Sequence, residues 1–411
     1  MTAEFPDIAL QQLEKCARCG KCRSVCPVFD VVKDEAFVAR GRILLADALR
    51  KNQISASNEI AAIMAACLMC RRCSGICPSG VEFTEVLKAA RSQIAKEVGL
   101  PAGASFFFRH VLPYRRRFNS VIRIAALGQR LAPARRKGNL RHLPLLFKGG
   151  KWLPPLAKIS ALEAYSKPAR VENARLRVGI FVGCLINYVY PDFIDATIQL
   201  LRRAQIQTII PEQQLCCGTP AVALGDVEAA RMLARRNQEH FREAGCDYVI
   251  TLCASCGTML KREYPQLLDS SENPFGVPML DLSEFLVRHV KLDYGRLQDS
   301  VTYHDPCHLR WGQGVIAEPR KLLSDVCHFQ ETPGEMYCCA LGGAFSLTFP
   351  DFSEAIAQKK LQSLDALSVR EVVSACPGCI LQLNDLFARS GSDKKAVHLI
   401  QILARSIKTL T

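Results

Sequence analysis

The run "CARCGKCRSVCP", residues 16 to 27, places four cysteines in eleven positions, and "CLMCRRCSGICP" repeats the pattern at 67 to 78. Both have the spacing Cys-x2-Cys-x2-Cys-x3-Cys-Pro, the run that holds cubane iron-sulfur clusters. Three thiolates two residues apart on a tight turn reach three corners of one cube, and the fourth points away to ligate the other cluster. Cys16, Cys19, Cys22 and Cys77 are therefore assigned to one 4Fe-4S cluster, and Cys67, Cys70, Cys73 and Cys26 to a second. Zinc fits poorly, because it wants paired Cys-x2-Cys elements closed into one tetrahedron. Arg18, Lys21, Arg23, Arg71 and Arg72 lie among these ligands, as charges that raise a cluster potential or as solvated loop charges.

The compartment is argued from the rest of the chain. The start, "MTAEFPDIALQQLEK", has no basic segment followed by an apolar one, and no apolar run approaches the length of a membrane span. A cytoplasmic protein is expected, and in a reducing compartment twenty cysteines speak for metal binding or catalysis instead of disulfides. Eighteen fall into four motifs, leaving Cys246 and Cys327 as ordinary buried small side chains.

From residue 175 onward the sequence repeats itself. "LRVGIFVGC" ends on Cys184 and "DSVTYHDPC" on Cys307, 123 residues later, and Cys253 and Cys376 are again 123 apart. A constant offset implies two copies of one unit. In each copy, strand-like runs alternate with helical stretches such as "DFIDATIQLLRRA", which argues for parallel-sheet α/β units with the cysteines at strand ends, where open α/β sheets place ligands. Residues 1 to 100 are helically patterned. The predicted fold is thus an α+β multidomain chain: a mainly helical two-cluster ferredoxin domain (1–100), a basic proline-punctuated connector (101–174), and two repeated α/β domains (175–295 and 296–411).

The two C-terminal motifs read Cys184-x31-Cys216-Cys217-x35-Cys253-x2-Cys256 and Cys307-x30-Cys338-Cys339-x36-Cys376-x2-Cys379. Five cysteines per site is one more than a closed zinc site or a simple cubane needs. "GCLINYVYP", "CCGTP" and "CASC", answered by "HDPCH", "CCALGGAF" and "CPGC", resemble the cysteine-rich CCG domains of an iron-sulfur protein family. That family includes subunits of glycolate oxidase, of D-lactate and lactate-utilisation complexes, of anaerobic glycerol-3-phosphate dehydrogenase and of heterodisulfide reductases. The whole-chain order, with "RGRI" at 40 to 43, resembles the glycolate oxidase iron-sulfur subunit most. The resemblance implies an iron-sulfur centre in each five-cysteine set, a noncubane catalytic pair in heterodisulfide reductases and an electron relay in the oxidases. The second set departs from the pattern: Ala340 follows its cysteine pair instead of glycine, and its first gap is one residue short. Zinc stays open as an alternative there.

No substrate or nucleotide site stands out. "GQGVIA" at 312–317 follows a cysteine loop instead of a strand and lacks an acidic ribose partner. His304 and His308 flank Cys307 and are read as hydrogen-bonded structural histidines. The expected function is electron transfer from a FAD-containing 2-hydroxyacid dehydrogenase subunit toward quinone, the alternative being disulfide reduction at a CCG site.

The net charge of +14 resides in residues 101–175, which carry sixteen Lys or Arg against Glu163 and Glu172. The rest of the chain is neutral, which argues against nucleic-acid binding. Arg116, Arg123 and Arg130 recur every seven residues on one face of a predicted helix, with Phe118, Val121, Ile122 and Ala125 on another. Segment 109–141 is expected to meet the inner face of the cytoplasmic membrane or a quinone-reducing partner. "LPLLFKGGKWLPPLAK" reads as irregular chain.

Overall fold

A computed structural model of the 411-residue chain describes residues 5–130, 140–142, 150–270, 273–332 and 337–408. It divides into two compact units: residues 1–110 with 218–230 and 337–360, and the remainder.

The first unit is built of helices. Phe83–Glu97 buries Phe83, Val86, Leu87, Ala90 and Ile94, a helical spacing that puts one apolar stripe inward. Ala39–Arg50 packs on it through Ile43, Ala46 and Leu49, and Asp7–Lys15 and Asn58–Ala65 complete the core. Each fully buried leucine or valine contributes about 1.5–3 kcal/mol. Segment 218–230 joins through the helix Thr219–Leu224, which packs on Phe83–Glu97. At its end Gly225 takes φ +91 against the Arg91 carbonyl, where a Cβ would stand 2.4 Å from that oxygen.

The second unit carries the repeats. A ladder of β1 (Arg141–His142) and antiparallel β2 (Trp152–Leu153) replaces the irregular chain expected around Trp152. β2 is anchored because Asp385 accepts from the Trp152 amide at 2.7 Å and pairs with Lys151 at 3.3 Å. The first repeat forms β3 (Leu176–Phe181), β4 (Ile206–Ile209), β5 (Tyr248–Thr251) and β6 (Met279–Asp281), in the order β4-β3-β5-β6, all parallel. The second forms β7 (Ser300–Tyr303), β8 (His328–Gln330), β9 (Glu371–Ser374) and β10 (Lys395–His398), in the same relative order β8-β7-β9-β10, again parallel. The order reverses beside the first strand of each sheet, so the switch point lies at the carboxyl ends of β3 and β5, and of β7 and β9.

The copies pack on each other through helices Ala254–Thr258 and Cys307–Gln313, and through Asp192–Arg203 and Leu399–Lys408. The first contact requires glycine on both sides. A Cβ on Gly257 would meet Gln313 Nε2 at 2.4 Å, and one on Gly312 would meet Thr258 Oγ1 at 2.2 Å. "GQG" thus ends a helix instead of opening one after a strand.

The predicted basic helix spans Arg115–Arg130. Its inner face is held by Arg115 Nη1 donating to the Gln214 carbonyl at 3.1 Å, by Phe118 edge-on to Tyr188, and by buried Gln129. Of the expected apolar face, Phe118 and Ile122 are half-buried, while Val121 and Ala125 are exposed beside Ile124 and Leu127. Residues 131–139 and 143–149 of the basic connector lie outside the described residues.

Candidate metal centres

The two ferredoxin-type runs share one backbone. Arg18 and Gly20 have positive φ two and four residues after Cys16, and Met69 and Arg71 do so at the same offsets from Cys67. The left-handed steps turn successive sulfurs inward, at a cost of about 1–2 kcal/mol for each non-glycine residue. Cys16, Cys19, Cys22, Cys73 and Cys77 line one cavity. Cys26, Cys67, Cys70 and Cys73 are electrostatic neighbours. The fourth cysteine of each run thus lies near the first three of the other, and Cys73, beside Cys22 as well, stands between the two sets. Cys26 also caps the helix Pro27–Val32, its sulfur accepting from the Phe29 amide at 3.5 Å.

The donor chemistry fits an iron-sulfur cluster. Burial pushes the Cys26 thiol up, opposed by the Phe29 amide and Arg42, and burial and neighbouring sulfurs push Cys73 well up. Thiolates packed this closely need a cation among them, and coordinated iron supplies it.

Two buried arginines flank the second set. Arg42 donates to the carbonyls of Ile63 and Ala66, both at 2.9 Å, and of Phe37. Arg91 donates to Met64 at 2.7 Å, Cys67 at 2.9 Å and Ala223 at 2.8 Å. Neither has a carboxylate partner among the described residues. Arg71, equally buried, does: Glu82 lies at 3.1 Å and Glu85 at 3.9 Å.

In the repeats the cysteines stand where the switch points predict. Cys184 and Cys307 begin helices after β3 and β7, and Cys253 and Cys376 cap the helices after β5 and β9. Side-chain hydrogen bonds link Cys184, Cys216 and Cys217, then Cys256, Cys253, Cys376 and Cys379, in one row that crosses from the first repeat into the second. The Cys216 thiol holds Cys184 below its ordinary value, and Cys253 and Cys379 hold Cys376 well below, with His308 adding to the effect. The first five-cysteine set lies wholly in the second unit. Of the other set, Cys307, Cys376 and Cys379 lie there too, whereas Cys338 and Cys339 belong to the first unit, where Cys338 is an electrostatic neighbour of Cys70. Ala340 adopts φ +68, the left-handed conformation that Gly218 takes after the first pair. The departure in sequence leaves the turn unchanged.

Residues outside the motifs hold these loops. Gln214 accepts from the Val182 amide at 2.8 Å and donates to the Ile180 carbonyl at 3.1 Å, tying the Cys216 loop to the end of β3. Asn237 accepts from the Leu215 amide at 2.7 Å and donates to the Cys216 carbonyl at 3.1 Å and to the Tyr264 hydroxyl at 2.9 Å. His308 Nδ1 meets Ser255 Oγ at 2.9 Å across the repeats. Nothing in the motif spacing marked Gln214, Asn237, Arg42 or Arg91. For Asn237, Arg42 and Arg91 the signal was a polar side chain at a position whose helical phase faces inward, whereas Gln214 lies in a loop that has no such phase. Cys246 and Cys327 are buried, as expected.

Comparison with known proteins agrees with this layout. The 4Fe-4S dicluster domain matches residues 12–81, and the cysteine-rich CCG domain matches 178–261 and 301–384. A probable glycolate oxidase iron-sulfur subunit from Bacillus subtilis is 30% identical over 95% of this chain and 93% of its own. One of the subunits of a fumarate reductase (CoM/CoB) from Methanothermobacter marburgensis is 28% identical over 96% of this chain and 72% of its own. Another relative, from a dihydromethanophenazine:CoB–CoM heterodisulfide reductase of Methanosarcina barkeri, is 24% identical over 99% of this chain and 97% of its own. These relatives are oxidoreductase subunits. The chain belongs to the family of iron-sulfur proteins that join a 4Fe-4S dicluster domain to two cysteine-rich CCG domains, the family of the glycolate oxidase iron-sulfur subunit.

Proposed function

We propose that the chain is the electron-transferring subunit of a complex in which a separate FAD-containing subunit oxidises a 2-hydroxy acid such as D-lactate or glycolate. The observation that carries this reading is the near full-length match to a glycolate oxidase iron-sulfur subunit, joined to four cysteine sets spread along one chain. Clusters bound there would supply one-electron carriers. Cys16, Cys19, Cys22 and Cys77 would hold the first cluster and Cys67, Cys70, Cys73 and Cys26 the second. Cys184, Cys216, Cys217, Cys253 and Cys256 would hold an iron-sulfur centre in the first CCG domain, and Cys307, Cys338, Cys339, Cys376 and Cys379 one in the second. The arginines and amides around each set orient the thiolates and compensate their charge.

The exit toward quinone is assigned to the basic helix, whose exposed Ile124 and Leu127 beside Arg116 and Arg130 suit the anionic inner face of the cytoplasmic membrane. No helix among the described residues is long and apolar enough to cross a membrane. The division of labour is tested by mixing the anaerobic oxidised chain with D-lactate or glycolate, with and without a FAD-dependent dehydrogenase for that acid. Cluster absorbance should bleach only when the flavoprotein is present. Bleaching by the acid alone would overturn the reading.

A second reading is favoured by the likeness to a heterodisulfide reductase subunit and by the row of seven hydrogen-bonded thiols. In it a CCG site reduces a disulfide. Turnover of a heterodisulfide by the reduced chain, or a paramagnetic signal on adding it, would select this reading.

A further inference from the structure

The two ferredoxin-type sets differ in the charge around them. The first is lined by Arg18 and Lys21, both exposed, and by Arg40, whose electrostatic neighbours include Cys22 and Cys19. Arg40 is already compensated by Glu35 at 2.8 Å, and it also donates to the Arg18 carbonyl at 3.1 Å. The second is faced by Arg42 and Arg91, which are 1% and 6% exposed and, among the described residues, hydrogen-bonded only to main-chain carbonyls. Those carbonyls belong to residues 63 to 67, the segment that leads into Cys67, and to Phe37 and Ala223. Arg42 lies near Cys26, and Arg91 near Cys67.

A buried cation without an anion costs several kcal/mol, and carbonyl dipoles repay only part of that. Elsewhere in the same unit the chain supplies carboxylates for buried or half-buried arginines: Glu82 and Glu85 for Arg71, and Asp226 for Arg109. For Arg42 and Arg91 the neighbouring anionic groups are sulfurs of the thiolate set, Cys26 and Cys67. A guanidinium is not deprotonated in proteins, so both side chains keep their charge.

We propose that Arg42 and Arg91 are the built-in counter-charges of the second 4Fe-4S site, Cys26, Cys67, Cys70 and Cys73, and make it the more oxidising of the two ferredoxin-type sites. Reduction adds one negative charge to a cluster, so two buried positive charges in a low-dielectric surround favour the reduced form there more than the exposed Arg18 and Lys21 and the carboxylate-paired Arg40 do at the first, where water screens them. An electron leaving the first site is gained by the second, with no bond or proton exchanged. The second site is also the one whose Cys70 neighbours Cys338. It is packed against that loop: a Cβ on Gly342 would stand 2.4 Å from Leu68 Cδ2. The order of potentials thus directs charge from the first site toward the second CCG pair. The inference rests on the proposed cluster-bearing role and gives that role a direction.

The test is an anaerobic redox titration of the full cluster-loaded chain, followed by electron paramagnetic resonance, for the parent and for Arg42→Gln, Arg91→Gln, Arg91→Lys and Arg40→Gln. The parent should reduce its second site first. Arg42→Gln and Arg91→Gln should each shift the second couple at least tenfold toward the oxidised form, about 59 mV more negative for one electron, and leave the first couple in place. Arg91→Lys should hold the second potential within threefold of the parent, because it keeps the charge and loses the fork. If Arg91→Gln fails to retain the second cluster, Arg42→Gln carries the measurement. An unchanged second couple in Arg42→Gln and Arg91→Gln, an Arg91→Lys shift equal to that of Arg91→Gln, or an equal effect from Arg40→Gln overturns the proposal. A chain without iron would instead overturn the cluster-bearing role itself, so the two failures are distinct.

Discussion

Asn237 occupies a buried position in the helix Val227–Glu243, yet its value lies in three hydrogen bonds to the loop and tyrosine around Cys216. Asn237→Ala leaves the Leu215 amide and the Cys216 carbonyl without their partner in a dry site, and each such orphan costs about 1–3 kcal/mol. A loss of about 2–4 kcal/mol is expected in urea unfolding, with faster iron release from the repeats than from the ferredoxin-type sites. Cys26 makes the opposite kind of prediction. A serine hydroxyl can accept from the Phe29 amide as the sulfur does, so Cys26→Ser should keep its helix cap and its fold. Its expected spectrum is that of Cys70→Ser, with the second cluster lost and the first retained. A spectrum matching Cys16→Ser instead would contradict the crossed ligation.

At the scale of elements, Asp226 shows how one side chain fixes a helix. Its carboxylate accepts from the Ala229 amide at 3.1 Å, capping Val227–Glu243, and from Arg109 at 3.0 and 3.1 Å. Asp226→Ala removes cap and ion pair together and should cost about 2 kcal/mol, most of it from the cap, since Arg109 is half exposed and can return to water. Asp226→Asn should recover about half of that in thermal unfolding. Such elements were unequally legible. The helix Arg115–Arg130 could be read from its charge spacing, and the parallel strands from β-branched runs ending on cysteines, because both signals are local. Which side of Arg115–Arg130 is covered could not be read, since Tyr188 and Gln214, which cover it, are distant in sequence. The placement of Gly225 against the Arg91 carbonyl, or of Leu68 against Gly342, depends on contacts between remote segments, and no periodicity records them. Arg42 was visible in "RGRI", but its burial was not: an arginine in an apolar stripe becomes intelligible only once the thiolates it faces are in place.

The whole second unit carries its duplication into its acid response. Asp281 ends β6 and caps Leu282–His289, accepting from the Ser283 amide at 2.8 Å while its own amide donates to Glu284. His398 ends β10 in the same place: its Nδ1 accepts from the Ile400 amide at 3.2 Å and its own amide donates to Gln401. The box "DLSE" in one repeat is "HLIQ" in the other. Nε2 of His398 donates to the Leu252 carbonyl at 2.9 Å, so the imidazole is held neutral on both nitrogens. Burial pushes the Asp281 carboxyl up to about 6 from 3.8, and burial pushes His398 down to about 4 from 6.5. A raised carboxyl gives stability that is full below 3.8 and lost as pH rises through about 6. A depressed imidazole gives stability that is full above 6.5 and lost as pH falls through about 4. Each is worth about 3 kcal/mol, and between pH 4 and 6 the two slopes oppose each other. The parent should therefore change little in urea midpoint between pH 5 and 6 on account of this pair. Asp281→Asn unmasks the histidine, so stability relative to the parent should fall toward pH 5 by about 1 kcal/mol per pH unit. His398→Gln unmasks the carboxyl and should give the opposite slope. Parallel pH profiles for the parent and both variants would show that neither buried group titrates as its surroundings require.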